Sequence, residues 1–317
     1  MTVAGSPRAR MNLGRVGIWT YQLNYQPATK VREVVAELEE PGYGALWIGE
    51  AAYREPLTHA GLLLSSTQHM VIATGIANIW ARDPFTMTAA QLTLAEAHPD
   101  RFLLGLGVSH ARLVEGIRGH EYRQPLAKMR AYLDAMDKAG AVYRAVKPAK
   151  PPRVLAALGP KMLELSAERA DGAHTYLVTP EHTAKARAQL GPAPWLIVEQ
   201  AAVLETDAAK ARAIGRRHVS RYLDLPNYTG NFRRLGFKSE DIANRGSDRL
   251  VDGLVAWGDL QDVATRIDHH LAAGADQVCV QVFDPDPHGL PLRQWREISN
   301  LAARAGLISL SHRQRTG

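Results

Sequence analysis

The chain has 317 residues, 46% of them hydrophobic and 22% charged, proportions that are typical of globular proteins. No apolar run approaches the roughly 18 residues of a membrane span, and the opening MTVAGSPRAR lacks the apolar core of a secretory signal. The formal charge of +6 is not gathered into a Lys/Arg run, which argues against nucleic-acid binding and fits an anionic small ligand.

Short apolar runs bounded by turn residues predict eight β-strands: Val16–Trp19, Ala45–Ile48, Val71–Ala77, Phe102–Leu106, Val154–Leu158, Ala173–Val178, Trp195–Val203 and Val278–Phe283. Amphipathic stretches predict helices at Lys30–Glu40, Leu57–Gln68, Thr86–Ala97, Leu126–Tyr143, Met162–Ala170, His182–Gln189, Ala208–Tyr222, Val263–Ala273 and Leu292–Ala305. Alternation alone also fits an open α/β sheet. The number of strands and the chain length favour a closed (β/α)8 TIM barrel.

One stretch interrupts this alternation. Residues 227–252 are polar, lie between the seventh helical pattern and the eighth strand, and are too long for a simple turn. We expect an insertion over the C-terminal face of the barrel, where substrates are recognised, with a meandering surface loop as the alternative. The predicted organisation is a disordered extension at 1–10, a single barrel domain at 11–306 and a flexible tail at 307–317.

The strongest local motif lies where the fifth predicted strand meets the next helix. Gly159 and Pro160 follow the strand, and proline at the first helical position has no amide that needs a partner. The amides of Lys161 and Met162 would then point outwards at the positive end of the helix dipole, beside the Lys161 charge. The motif indicates a phosphate site, although Gly-Pro also occurs in plain strand-to-helix turns.

Polar residues follow three other strands. Glu50 comes after the second, Asn78 after the third, and Ser109 with His110 after the fourth. Histidine suits acid–base work near neutral pH, and the amide of Asn78 suits the edge of a heterocycle. Each of these residues could equally serve its own loop. The glycines of GLGVSH lack the spacing of a dinucleotide fingerprint, so a Rossmann assignment is not supported.

Together these segments resemble the luciferase-like monooxygenase superfamily, and within it the branch that uses the deazaflavin coenzyme F420. The resemblance extends over nearly the whole chain. Its clearest segments are GYGALWIGE (Gly42–Glu50), ATGIANIWARDP (Ala73–Pro84), RFLLGLGVSH (Arg101–His110) and AALGPKMLELSAERADG (Ala156–Gly172).

The resemblance implies a barrel that holds coenzyme F420, or FMN as the alternative, at the strand C-termini. It places the cofactor phosphate at Gly159, Pro160, Lys161 and Met162. It also implies a non-prolyl cis peptide between Gly75 and Ile76 behind the deazaflavin ring, contact of Asn78 with the polar edge of the ring, and Val108 and Ser109 beside it.

The sequence departs from the family at one position. Many relatives have an acidic residue followed by histidine after the second strand, whereas this chain has Glu50 followed by Ala51. We therefore expect Glu50 or His110 to act as the catalytic acid or base, with a substrate that needs no protein acid as the alternative.

The implied reaction is hydride transfer between C5 of the deazaflavin and a small organic substrate. The alternatives are an FMN-dependent monooxygenase, a non-catalytic barrel that binds a cofactor or an anionic metabolite, and a phosphosugar-type isomerase.

Three further expectations concern surroundings and partners. The single cysteine, Cys279, excludes an internal disulfide and suits a cytoplasmic location. No metal site is expected, since the adjacent His269 and His270 point to different sides of a helix. The expected partners are a small-molecule substrate and, because relatives are often dimers, a second copy of the chain, with neither nucleic acid nor membrane.

Overall fold

The computed structural model describes residues 11–307. Within that range eight parallel strands form the barrel: β1 (Val16–Thr20), β2 (Ala45–Ile48), β3 (Val71–Thr74), β4 (Phe102–Gly107), β5 (Arg153–Ala156), β6 (Gly172–Thr175), β7 (Trp195–Val203) and β8 (Gln277–Val282). Each strand pairs with the next, and β8 pairs with both β7 and β1, which closes the sheet. The chain is thus a (β/α)8 TIM barrel, as the sequence predicts.

The strands are buried on both faces, with two separate sets of contacts. Residues of one parity, among them Trp19, Trp47, Ile197 and Cys279, fill the inside of the barrel. Residues of the other parity pack outwards against the helices in a larger cluster. Strand residues alternate between two faces, and this barrel covers its outer face with helices, so both parities are apolar.

The helices that cover the barrel mostly begin at identifiable caps. They are α1 (Ala28–Glu39), α2 (Pro56–Leu64), α3 (Pro84–Ala97), α4 (Ala111–Gly116), α5 (Pro125–Val142), α6 (Pro160–Arg169), α7 (Pro180–Leu190), α8 (Ala208–Val219), α9 (Pro226–Arg234), α10 (Ser239–Ile242), α11 (Asp248–Leu254), α12 (Leu260–Ala272) and α13 (Leu292–Arg304). The Asp83 side chain accepts bonds from the amides of Phe85 and Thr86, and α6 starts at Pro160.

The segment predicted as a polar insertion is helical. Residues 227–252 belong mainly to α9, α10 and α11, which pack with α8 around Phe232 and Leu250. A three-residue strand, Val255–Trp257, follows and pairs with the end of β7. The sequence analysis missed this strand because three residues directly after a helix leave no periodicity to detect.

Element boundaries differ from the prediction by a few residues, most clearly at the third strand. The third strand is shorter than predicted: β3 ends at Thr74, and Ala77–Asn78 form a separate two-residue strand beside β4. The predicted extension at 1–10 lies outside the described residues, as does the predicted tail at 307–317 except for Leu307, whose amide donates to the Ala302 carbonyl at 2.8 Å. In the part of the chain that the structure describes, no helix is long and apolar enough to cross a membrane.

Candidate active site

The top layer of the barrel interior divides into two unlike halves. On β2, β3 and β4 the last inward positions are glycines, and we call them the glycine side: Gly49, Gly75 and Gly107. From β6 through β7 and β8 to β1, the corresponding inward positions carry polar side chains. We call this half the tyrosine side, and its residues are Tyr176, Glu199, Gln281 and Tyr21. These positions follow by alternation from the buried residues one layer below.

The glycines are required by close neighbours. A Cβ on Gly75 would collide with Nε1 of Trp19, and one on Gly107 would collide with the side chain of Ile76. The Gly75–Ile76 bond is cis, as predicted. The space beside the three glycines is therefore filled by the side chains of Tyr21, Trp19 and Ile76, and Gly49 and Gly107 are buried.

Asn78, predicted to meet a ring edge, is also held by its own loop. Its side-chain Oδ1 accepts a hydrogen bond from the backbone amide of Trp80 at 2.9 Å, and its backbone amide donates to Glu50 Oε2 at 2.7 Å. The Asn78 side chain is almost fully buried. Part of its hydrogen-bonding capacity therefore maintains the backbone beside the cis bond.

Glu50 lies in a buried network rather than free in a cleft. Oε1 accepts bonds from Nη2 of Arg82 at 2.9 Å and Nη2 of Arg118 at 2.7 Å. Oε2 accepts from the backbone amide of Asn78 at 2.7 Å and from Nη1 of Arg82 at 3.0 Å. A carboxylate has about four acceptor positions, and all four are engaged. This geometry does not support the predicted proton-transfer role for Glu50, because an accepted proton would have to displace a charge-assisted bond.

The segment after β4 lies beside that network. The Val108 carbonyl accepts a bond from Trp80 Nε1 at 3.0 Å, and Ser109 has φ of 55°, with its carbonyl bonded to the Tyr122 hydroxyl. His110 is the N-cap residue that immediately precedes α4, and the centroid of its ring lies 5.7 Å from that of Tyr228. Burial, with a smaller effect of Arg112, lowers the pKa of His110 to about 4, so its imidazole is neutral at pH 7.

The predicted phosphate motif begins α6 as expected, with one correction. The Met162 amide donates to the Gly159 carbonyl at 3.2 Å, so it does not point outwards. A Cβ on Gly159 would meet only Nη2 of Arg234, at 3.7 Å, and the space above this glycine is otherwise open. Arg234, at the end of α9, was missed because the sequence gives no signal that the insertion returns to this loop.

The tyrosine side is a connected group of aromatic rings. The Tyr176 hydroxyl donates to Gln281 Oε1 at 2.7 Å, and the Tyr222 hydroxyl donates to Tyr176 at 3.2 Å. Tyr228 of α9 packs on Tyr222 with ring centroids 4.7 Å apart. The insertion therefore supplies part of the wall of the barrel mouth.

Glu199 is the polar residue that the sequence analysis missed. It is fully buried on β7, and its Oε2 accepts a bond from the Leu177 amide at 2.8 Å. Within the described residues its Oε1 has no hydrogen-bond partner. Burial raises the pKa of Glu199 to about 8, against the opposing effect of the Leu177 bond. The available signal was a glutamate within the otherwise largely apolar run WLIVEQAAV.

The predicted site residues thus lie at one end of the barrel but in distinct places. Gly75, Ile76, Asn78 and Glu50 cluster on the glycine side, and Gly159–Met162 begin the helix after β5. In the described residues no group of three or more His, Cys, Asp and Glu side chains could hold a metal ion. His269 is exposed and His270 buried, in agreement with their predicted opposite directions.

A family model described as luciferase-like monooxygenase matches residues 11–277. The chain belongs to this family. A Mycobacterium tuberculosis protein named as a coenzyme F420-dependent oxidoreductase is 28% identical to this luciferase-like protein over 334 aligned positions. The match covers 86% of this chain and 95% of that protein.

Two solved structures show the same fold. An F420-dependent secondary alcohol dehydrogenase in complex with an F420–acetone adduct superimposes with a TM-score of 0.72 at 14% identity, covering 90% of this chain and 97% of the other. The oxygenating constituent of 3,6-diketocamphane monooxygenase from Pseudomonas putida, in complex with FMN, gives a TM-score of 0.66 at 15% identity, covering 94% and 99%. The fold is therefore common to enzymes with either cofactor.

Proposed function

We propose that this luciferase-like protein is an F420-dependent oxidoreductase that exchanges hydride between C5 of the deazaflavin and a small organic substrate. The observation that carries the proposal is the open space above Gly159 at the start of α6, with the Arg234 guanidinium beside it. The similarity to the named Mycobacterium tuberculosis protein supports F420 over FMN.

The residues around α6 fit a phosphate group. Gly159 leaves room for close approach, the helix dipole favours an anion, and Arg234 supplies a nearby positive charge. Lys161 is exposed at the second position of the helix and adds another charge. We propose that Gly159, Pro160, Lys161 and Arg234 hold the cofactor phosphate, with Met162 packed beneath them.

The glycine side fits a flat ring. Gly75, Ile76, Val108 and Ser109 are partly exposed there, and close neighbours exclude side chains at Gly75 and Gly107. We propose that this surface and Asn78 orient the ring, and that the Glu50 network fixes Asn78. When bound, the deazaflavin supplies the hydride chemistry, while the protein orients the substrate and excludes water.

His110 is proposed as a neutral contact at the mouth rather than a proton donor. Its neutral imidazole can accept or donate one hydrogen bond to a substrate near Tyr228. We propose a positioning role for Glu50, because its four acceptor directions are already used.

A cofactor titration tests this function. Purified protein is titrated with F420 and, separately, with FMN, following F420 fluorescence and FMN absorbance. We expect micromolar or tighter binding of F420 and weaker binding of FMN. Tight FMN binding without F420 binding would favour the monooxygenase alternative, which the fold shared with the FMN enzyme keeps open.

Gly159→Val provides a variant that keeps the fold. Its backbone angles suit any residue and the added Cβ meets no closer neighbour than Arg234, so stability should be retained while the phosphate is obstructed. Gly116→Val, with no atom within 4 Å of its Cβ, is the matched control. Unchanged F420 affinity in Gly159→Val would contradict the phosphate assignment. If F420 binds but no alcohol, enone or imine changes its redox state, the non-catalytic barrel gains support.

A further inference from the structure

Glu199 stands in an environment that keeps a carboxyl group protonated. It is fully buried in the top layer of the barrel, its Oε1 has no hydrogen-bond partner within residues 11–307, and no cation pairs with it there. Burying an uncompensated carboxylate is costly, and a neutral acid avoids that cost. The raised pKa of Glu199 agrees with this geometry.

The groups that face Glu199 come from every element around it. Five of these groups have a raised pKa, mainly because they are buried, and the negative charge of Glu199 adds to the effect. They are Tyr21 after β1, Tyr176 after β6, Tyr222 and Tyr228 near and in the insertion, and Cys279 on β8. His218, whose ring lies 6.0 Å from that of Tyr176, is neutral because burial lowers its pKa to about 3. The charge of Arg221 lowers the pKa of His218 further and opposes the effect of burial on the pKa of Tyr21, Tyr53 and Tyr222.

Glu199 and Tyr176 are neighbours on adjacent strands, because Val198, the residue before Glu199, pairs with Thr175, the residue before Tyr176. No hydrogen bond joins the two side chains among the described residues, since the Tyr176 hydroxyl donates to Gln281, so proton transfer between them requires a side-chain rotation. Tyr176 accepts a bond from the hydroxyl of Tyr222, which is partly exposed. Hydroxyl protons rotate, so two linked tyrosines can pass a proton in either direction.

We propose that Glu199 supplies the proton for substrate reduction and accepts it in oxidation, through the hydroxyls of Tyr176 and Tyr222. The proposal rests on the proposed function. In reduction, the bound deazaflavin would supply the hydride to the substrate carbonyl carbon, and the carbonyl oxygen would take its proton from a tyrosine hydroxyl. The tyrosines are reprotonated from Glu199, which is left as a carboxylate and recovers its proton from water. Oxidation of the alcohol reverses each transfer.

The first experiment needs neither cofactor nor substrate. Infrared difference spectra of the full chain, recorded as the pH is raised, should show a carboxylic acid C=O band that disappears near pH 8. The band should be missing in Glu199→Gln and retained in Glu164→Gln, a control at an exposed position. A wild-type protein without a carboxyl that titrates above pH 6 overturns the proposal, whether or not the variant folds.

The second experiment follows turnover with F420 and a panel of ketones and secondary alcohols. Glu199→Gln can keep the bond from Leu177, and Tyr176→Phe keeps the ring, so both should bind F420 within twofold of wild type. We expect kcat to fall about 100-fold in each, and the alkaline limb near pH 8 to vanish in Glu199→Gln.

The outcomes separate this proposal from the proposed function. An unchanged kcat and pH profile in Glu199→Gln overturns the relay while F420-dependent turnover stands. Loss of F420 binding by the wild-type protein overturns the proposed function, whereas the infrared band still reports the state of Glu199. Wild-type protein that binds F420 but turns over no member of the panel overturns the relay as well.

Discussion

The two halves of the barrel mouth differ in the residues that occupy the inward positions at the ends of their strands. The glycine side has no side chains of its own at these positions and is closely packed, and the Glu50 ion pairs with Arg82 and Arg118 follow β2 at its edge. The tyrosine side fills the same layer with hydroxyls, an amide and one buried acid that has no counter-ion in the described part of the chain. One closed sheet can therefore combine a flat surface for a planar ring with a polar wall for a substrate, because each strand sets its own top residue.

The largest effect of a substitution on stability is expected at the Glu50 ion pairs beside the glycine side. Glu50→Ala leaves the largely buried Arg82 without its main partner and should lower the free energy of unfolding by about 3–5 kcal/mol. Glu33→Ala, which breaks the exposed pair with Lys30, should cost less than about 0.5 kcal/mol. Urea denaturation measures both. Equal small losses would mean that the Glu50 network does not brace this side.

On the tyrosine side, the corresponding test is pH dependence. The folded pKa of Glu199 is raised above its unfolded value, so the folded state holds a proton that the unfolded chain releases, and stability is lost as pH rises from about 4.5 to about 8. The free energy of unfolding should fall by about 5 kcal/mol over this pH range. Glu199→Gln should flatten this part of the stability–pH curve in denaturant titrations. A variant curve parallel to that of wild type would mean that Glu199 is not a neutral acid.

Crowding the flat surface should affect binding more than folding. Gly107→Ala displaces Ile76 towards the ring position and should cost about 1–3 kcal/mol of stability. F420 affinity, measured by fluorescence, should fall more than about tenfold. Gly116→Ala is the control, because its Cβ meets no atom within 4 Å. Normal F420 affinity in Gly107→Ala would place the ring elsewhere.

The smallest effect is expected at the phosphate end. Arg234→Ala should weaken F420 binding about tenfold, with little change in stability, and the loss should shrink at high salt. Arg245→Ala, an exposed cation of the same insertion, should leave affinity unchanged. Equal effects of the two variants would indicate only a general field of positive charge.

Much of the fold could be predicted because its signals are local. Apolar runs located all eight barrel strands, β7 to the residue, and Pro160 located the start of α6. The cis bond at Gly75–Ile76 followed from the family resemblance rather than from the residues themselves. The strand at Val255–Trp257 escaped detection because pairing with β7, not its own pattern, makes it a strand.

The sequence by itself determined the barrel and the places where its strands end, since burial on two faces and turn chemistry are written in neighbouring residues. Only the tertiary structure decided the roles at those ends. Glu50 and Glu199 are both glutamates of this barrel, yet Glu50 meets two arginines and Glu199 meets none within the described residues. The charge state of a carboxyl depends on partners that lie far away in the chain, and folding alone brings those partners together.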